Sequence, residues 1–268
     1  MRHAAIPSLP VAACRAPSER GARLRLSLLL ALAAAPIPLL AQSAGAVGDG
    51  FAFQRPILSL TVRGGYDRPS AGSEIYDFST TNLTLSKGDF AAAGFLVDIG
   101  VRVSDRTEIV FSGGHSRRNA PSEFRDFIDN NDQPIEQTTR LRRTPIAAGV
   151  KFALTSPGEK IGKFAWIPAR FTPWAGVGGG SMWYSFSQVG DFVDFQSLDV
   201  FPDQLTSDGW TPMGYAQLGA DIRLTTRVSL TGDIRYTAAR ARMSNSFQGF
   251  DRIDLSGTAA TMGFTLRL

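Results

Sequence analysis

His115 stands beside Ser116, with Asp126 and Asp129 downstream. A nucleophile, a base and an orienting acid are made of these three residue types. On a strand, however, adjacent residues point to opposite faces, so the imidazole could not take the serine proton. No enzyme is read from this pairing. The run GVGGG at 176–180 has the glycine density of a phosphate loop, but such a loop opens a helix, and SMWYSFSQ follows instead, a strand pattern. Close packing or strand bending is the plainer use of those glycines. Asp129, Asn130, Asn131 and Asp132 offer oxygen ligands without the spacing of a calcium loop. No metal or other cofactor is implied. Arg117, Arg118, Arg140, Arg142 and Arg143 carry another chemistry, since guanidinium forks match phosphate oxygens bidentately.

The elements that must position these residues show a period of two. Leu58, Leu60 and Val62 alternate with Ser59, Thr61 and Arg63, and Phe95, Val97, Ile99, Val101 and Val103 with Asp98 and Arg102. The pattern continues over 108–116, 146–154, the glycine-rich 171–186, 215–224, 228–236 and 260–268. These are eight strands, most of them near the ~9–11 residues that cross a bilayer. Long connections at 68–90, 117–139, 187–211 and 240–253 alternate with short ones at 105–107 and 225–227, with 155–169 as the exception. Pairing Val103 with Ile109 sets Ser104 opposite Glu108 and leaves the loop Asp105-Arg106-Thr107. Pairing Leu224 with Val228 leaves Thr225-Thr226-Arg227. Both are permitted three-residue hairpin loops. The expected fold is all-β: an eight-stranded antiparallel up-and-down transmembrane β-barrel, with the long loops on one side.

Residues 1–46 read as a cleaved signal peptide and 47–268 as the barrel domain. Five arginines lead into an apolar run and a small-residue stretch ending AGA at 44–46. That segment holds five of the 28 Lys+Arg and one of the 24 Asp+Glu, leaving 23 of each. The basic balance therefore belongs to the export signal, and nucleic acid is excluded as an implied partner. The sole cysteine, Cys14, lies in the same segment, so no disulfide is available to the mature chain.

Alternation does not say which face meets lipid, because a soluble ligand-binding barrel is apolar inside. Small inward candidates (Gly, Ser, Thr), only four lysines beyond residue 46 and a strand that runs to Leu268 favour apolar-out. Arg63, Asp98, Arg102, Glu108, Lys151, Asp221, Arg223, Asp233, Arg235 and Arg267 then point into the lumen and must pair, because unpaired buried charge is costly. They either plug the interior or gate a narrow conduit; eight strands leave little more than side-chain room.

With this strand and loop plan and the terminal segment GTAATMGFTLRL, residues 51–268 resemble the small eight-stranded outer-membrane barrels of the OmpA/OmpW-like superfamily, although the chain ends in Leu268 where such proteins usually end in Phe or Trp. The run GKFAWIPARFTPWAGVGGG is also similar to a strand entry of such barrels. The resemblance implies an exported outer-membrane monomer, inserted by the barrel-assembly machinery through its C-terminal strand. Its role would be structural or interactive, with narrow passage of small solutes or apolar molecules as a further expectation. A lipid A-modifying enzyme is the alternative from another class. The five arginines are expected at one rim, as a clamp for lipopolysaccharide phosphates or as snorkelling side chains paired with loop acids. The aromatic–acid runs EIYDF, FRDFIDNND, GDFVDF and GFDRID are expected to cap the mouth. Tyr66, Trp174, Trp183, Tyr184 and Tyr236 are expected in aromatic belts.

Overall fold

A computed structural model describes residue 52 and residues 55–268 except 130, 131, 162–164, 195, 196 and 198. The signal at 1–46 with Cys14, the domain boundary at 47, Asn130, Asn131 and Lys163 lie outside the described residues. The strands are β1 (Leu58–Pro69), β2 (Ala92–Arg102), β3 (Thr107–Ile128), β4 (Pro134–Ala153), β5 (Gly158–Ile161), β6 (Ala165–Pro168), β7 (Phe171–Val193), β8 (Val200–Arg223), β9 (Val228–Ala241), β10 (Ile253–Asp254) and β11 (Gly257–Arg267). The order β1-β2-β3-β4-β7-β8-β9-β11 closes on itself through the antiparallel pairing of β11 with β1. Eight strands form the ring, with no free edge along its closed part.

The outside is greasy. Val62 is 52% exposed, Phe95 54%, Phe111 55%, Val177 63%, Leu218 65% and Phe264 57%. A continuous apolar surface of this kind has no stable place in water, whereas lipid contact removes the penalty. No helix among the described residues is long and apolar enough to cross a membrane; the crossing elements are strands.

The two short turns share one device. At the first, Arg102 pairs with Glu108 and Val101 with Ile109, a slip of two residues from the expected register. Slipping by two keeps every side chain on its face. The loop is Ser104-Asp105-Arg106, and the Ser104 hydroxyl accepts the Thr107 N–H at 3.1 Å. At the second turn, Arg223 pairs with Ser229 as expected, and the Thr225 hydroxyl accepts the Val228 N–H at 3.0 Å. A hydroxyl three residues before the returning strand sets both turns.

The stretch 155–169 is not a loose loop. β5 and β6 form a separate two-stranded hairpin, and Trp166 on β6 exchanges backbone bonds of 2.8 and 2.9 Å with Ala52. The strand entry expected by resemblance at 162–180 is thus divided between β6 and β7, with residues 162–164 outside the described set. On the opposite side, the connections expected at 117–139 and 187–211 are mostly strand. β3, β4, β7 and β8 run on as paired antiparallel ladders up to Ile128↔Pro134 and Val193↔Val200.

The interior has two tiers. The upper one is apolar and is filled by helix α1 (Glu74–Asn82), which brings Ile75 and Tyr76 against Phe90, Phe186 and Leu255. Phe78, Phe124, Phe127, Phe247 and Phe250 add edge-on ring contacts, so the aromatic loop runs do form the expected cap. Phe192 of the GDFVDF run stacks instead on Phe201. Tyr76 is fully buried, and burial pushes its hydroxyl well above the ordinary tyrosine range. A raised tyrosine keeps its neutral form in the fold, so the stability it contributes is full below the ordinary value of about 10 and is lost as pH climbs past it. Limited proteolysis within 70–91 should accelerate above about that pH in the wild type and lose this dependence in Tyr76→Phe.

Candidate functional site

The lower tier is ionic. All ten residues expected in the lumen occupy inward positions of their strands. Arg63 bonds Asp98 and holds Asp233 at 2.5 Å. Asp221 receives four donors: Trp174 Nε1 and Thr231 Oγ1 donate to Oδ1, each at 3.0 Å, while Lys151 Nζ at 3.1 Å and Arg267 Nη2 at 3.0 Å reach Oδ2. An ionised carboxylate offers about four acceptor sites, so this one is saturated. The Thr231 proton goes to Asp221, hence Thr265 donates to Thr231 at 2.6 Å and Thr61 to Thr265 at 2.8 Å. Lys151 also lies 4.2 Å from the Trp174 ring centre. Glu108 accepts from Ser59. Nearer the turns, Arg102 lies over Trp166, and Arg223 donates to the Pro168 carbonyl at 2.7 Å. The spaces left between these side chains measure about 30 and 10 Å3.

The five arginines stand at one level of β3 and β4 but not on one face. Ser116 pairs with Arg143, Arg117 with Arg142, Arg118 with Leu141 and Asn119 with Arg140. Strand alternation therefore sends Arg117, Arg140 and Arg142 to the outer wall and Arg118 and Arg143 to the inner side. Arg143 is buried, holds Asp67 at 2.5 Å and donates to the Leu255 carbonyl at 3.1 Å. Arg118 donates to the Asp89 carbonyl at 2.8 Å. Asp67 and Arg143 belong to the interior network, and counting parity back from Ser116 finds both.

On the outer wall Arg117 and Arg142 are directly opposite, an arrangement that repels. Arg140 is the next outward residue of β4, paired with Asn119 on β3 and Ser187 on β7, while Ser185 pairs with Arg142. No carboxylate pairs with these three arginines among the described residues. Below them lie His115, hydrogen-bonded to Thr144, then Trp183 and Trp210. Tyr66, Tyr236 and Trp210 are 57%, 51% and 60% exposed. Trp174 and Tyr184 are corrections to the expected belt: both occupy inward positions of β7 and are buried, at 2% and 1% exposure.

His115 Nδ1 meets Thr144 Oγ1 at 2.9 Å on the outside, while Ser116 Oγ donates to Asp67 Oδ2 at 2.8 Å on the inside. The pair is split between faces, as strand alternation required. Asp126 lies far along the same strand. The glycines of 176–180 serve close packing: a Cβ at Gly180 would stand 2.1 Å from the Ile146 carbonyl. Among the described residues no group of acids and histidines is arranged to hold a metal.

No family model matches the chain, and no curated protein matches it. Solved structures similar to it include Neisserial surface protein A (10% identity, 82% of this chain and 98% of that one, TM-score 0.41). The outer membrane protein OprG from Pseudomonas aeruginosa matches at 12% identity over 81% and 99%, with a TM-score of 0.43. Ail, the attachment invasion locus protein of Yersinia pestis, matches at 10% over 80% and 100%, with a TM-score of 0.38. On its own geometry, eight antiparallel strands closed into a ring with apolar side chains outside and ionised ones within, the chain is a small eight-stranded β-barrel of the outer-membrane type.

Proposed function

We propose that this is an exported outer-membrane monomer, inserted through β11 by the assembly machinery, which anchors to lipopolysaccharide and holds an interaction surface above the membrane. One observation carries the reading: Arg117 and Arg142 face each other on the lipid side with Arg140 beside them, and none of the three forms an ion pair among the described residues. Opposed like charges destabilise a strand pair unless an anion sits between them. The height, next to the tryptophans that favour the membrane boundary, suits the phosphates of lipid A. Bidentate guanidinium–phosphate bonds are charge-assisted and strong.

The test is binding of lipopolysaccharide to the refolded barrel. Arg117→Gln, Arg140→Gln and Arg142→Gln together should weaken binding by roughly a hundredfold, at ~1.5–3 kcal/mol for each hydrogen bond to a charged group and with part of that recovered by water. Arg118→Gln, whose side chain is on the other face, should leave it unchanged. Equal binding by the triple variant would remove the anchor. Passage of small solutes is the second reading, and what favours it is the water-sized space still present within the charged tier.

A further inference from the structure

The short-turn end of the barrel carries a charge surplus that takes no part in the function proposed above. The first turn is flanked by two exposed apolar residues of the outer wall, Val103 and Ile109, and Arg106 stands exposed between them. Arg170, also exposed, immediately precedes Phe171, the outward residue that opens β7. Arg227 is exposed at the close of the second turn, which the exposed Leu224 leads into. The apolar wall thus runs down to the connections, and a guanidinium stands where it stops in each of these three. The carboxylates of the connections are matched by other cations. Asp105 is bound by Arg55, and Glu159 has Lys160 beside it on β5. Just inside the wall, Arg223 donates to the Pro168 carbonyl and forms no ion pair among the described residues. The opposite end has the reverse sign: the stretch 185–209 holds five aspartates and no Lys or Arg, and 119–139 holds five acids and one arginine. The surplus therefore belongs to this end and not to the chain, whose residues 47–268 hold 23 charges of each sign.

We propose that this end of the barrel recruits net-anionic phospholipid, such as phosphatidylglycerol, into the lipid layer around it, with Arg106, Arg170 and Arg227 each meeting a headgroup phosphodiester. A cation next to the last apolar residue of a membrane strand lies at headgroup depth, where its stem covers hydrocarbon and its charged end reaches the polar layer. The guanidinium fork there matches two phosphate oxygens. A zwitterionic lipid offers the same phosphate but brings an ammonium group with it. Surplus cations therefore favour the lipid whose headgroup adds no positive charge. In the orientation proposed above the leaflet concerned is the periplasmic one, the only point taken from that reading. The arginines of β3 and β4 assigned to lipopolysaccharide lie at the opposite boundary.

Residues 47–268 contain no cysteine, so Thr155→Cys, exposed beside Leu154, carries a single bimane label at this end of the refolded barrel. In phosphatidylcholine vesicles doped with nitroxide lipid, nitroxide phosphatidylglycerol should quench the label at roughly one-fifth the lipid fraction that nitroxide phosphatidylcholine needs, the worth of one basic residue at an anionic surface. Added salt should shrink that preference. Arg106→Gln, Arg170→Gln and Arg227→Gln together should bring the two lipids to equal quenching, while lipopolysaccharide binding stays at the wild-type level. These vesicles contain no lipopolysaccharide, so failure of that anchor and failure of this contact are read separately. Equal quenching by the two lipids in the labelled barrel without further changes overturns the proposal, as does a preference that the triple variant retains in full. Should the triple variant not refold, the labelled barrel decides alone, a salt-sensitive preference supporting the contact and its absence removing it.

Discussion

Asp221→Leu should destabilise the barrel by about 3–5 kcal/mol, the largest loss expected from any one side chain, because it breaks a buried ion pair from one side only. The substitution strands Lys151 and Arg267, and it leaves Trp174 Nε1 and Thr231 Oγ1 without their acceptor. Those four groups come from β4, β11, β7 and β9, so the damage reaches half the ring. Asp221→Asn should cost less, since its amide oxygen still accepts one or two of the four donors while its NH2 repels the cations. Urea-driven unfolding from lipid vesicles checks the order: wild type, then Asn, then Leu. If Leu unfolds with Asn or later, the carboxylate is not the keystone of the lower tier.

In planar bilayers the wild-type barrel should show no resolved current steps. Two barriers stand in series. The upper is the packed apolar plug around α1, with Ile75, Tyr76 and Phe186 at 1% exposure or less. The lower is the ionic tier, whose free spaces of about 30 and 10 Å3 hold isolated waters rather than a file of them. An ion crossing that tier must separate pairs such as Arg63 with Asp98, and each separation costs several kcal/mol. Replacing 72–90 by a short Gly-Ser linker should leave the membrane silent, because the lower barrier persists. Arg63→Ser, Asp98→Ser and Asp233→Ser together should also leave it silent, because the plug persists. Only the combination should open steps. Current through the wild type would make the charge pairs a gate rather than a filling, and would revive solute passage as the main role.

Parity was the legible part of this fold. Alternation at Phe95–Val103 named the strand, its two faces and, with the small polar residues opposite, the side that meets lipid; the same rule placed all ten lumen charges. The same parity governs the arginines: even and odd positions on β3 and β4 separate Arg143 from Arg142 as surely as Asp98 from Ile99. It also turns Trp174 and Tyr184, even positions of β7, inward. Other features leave weaker traces. The continuation of β3 and β4 buries Ala120, Phe124, Ile135 and Leu141 on its inner face, but Ser122, Gln137 and Thr139 alternate with them there and break the apolar period. Helix α1 spans nine residues and buries only Ile75, Tyr76 and Ser79, too few for a periodicity to stand out. Its signals were local: Ser73 at the N-cap position and Glu74 and Asp77 in the first turn.

The unequal strand lengths give the molecule a lopsided skyline. β7 spans 23 residues and β8 24, against 12 for β1 and 11 for β11. At ~3.3 Å per residue the tall strands extend ~75 Å, and ~9–11 residues suffice to traverse the hydrocarbon, so about half of each stands clear of it. A hydrogen-bonded screen of that length is stiff where a loop would be supple, and it rises on one flank only. Whatever approaches this end of the barrel strikes the two hairpin crests first, and from the low flank meets the cap over α1.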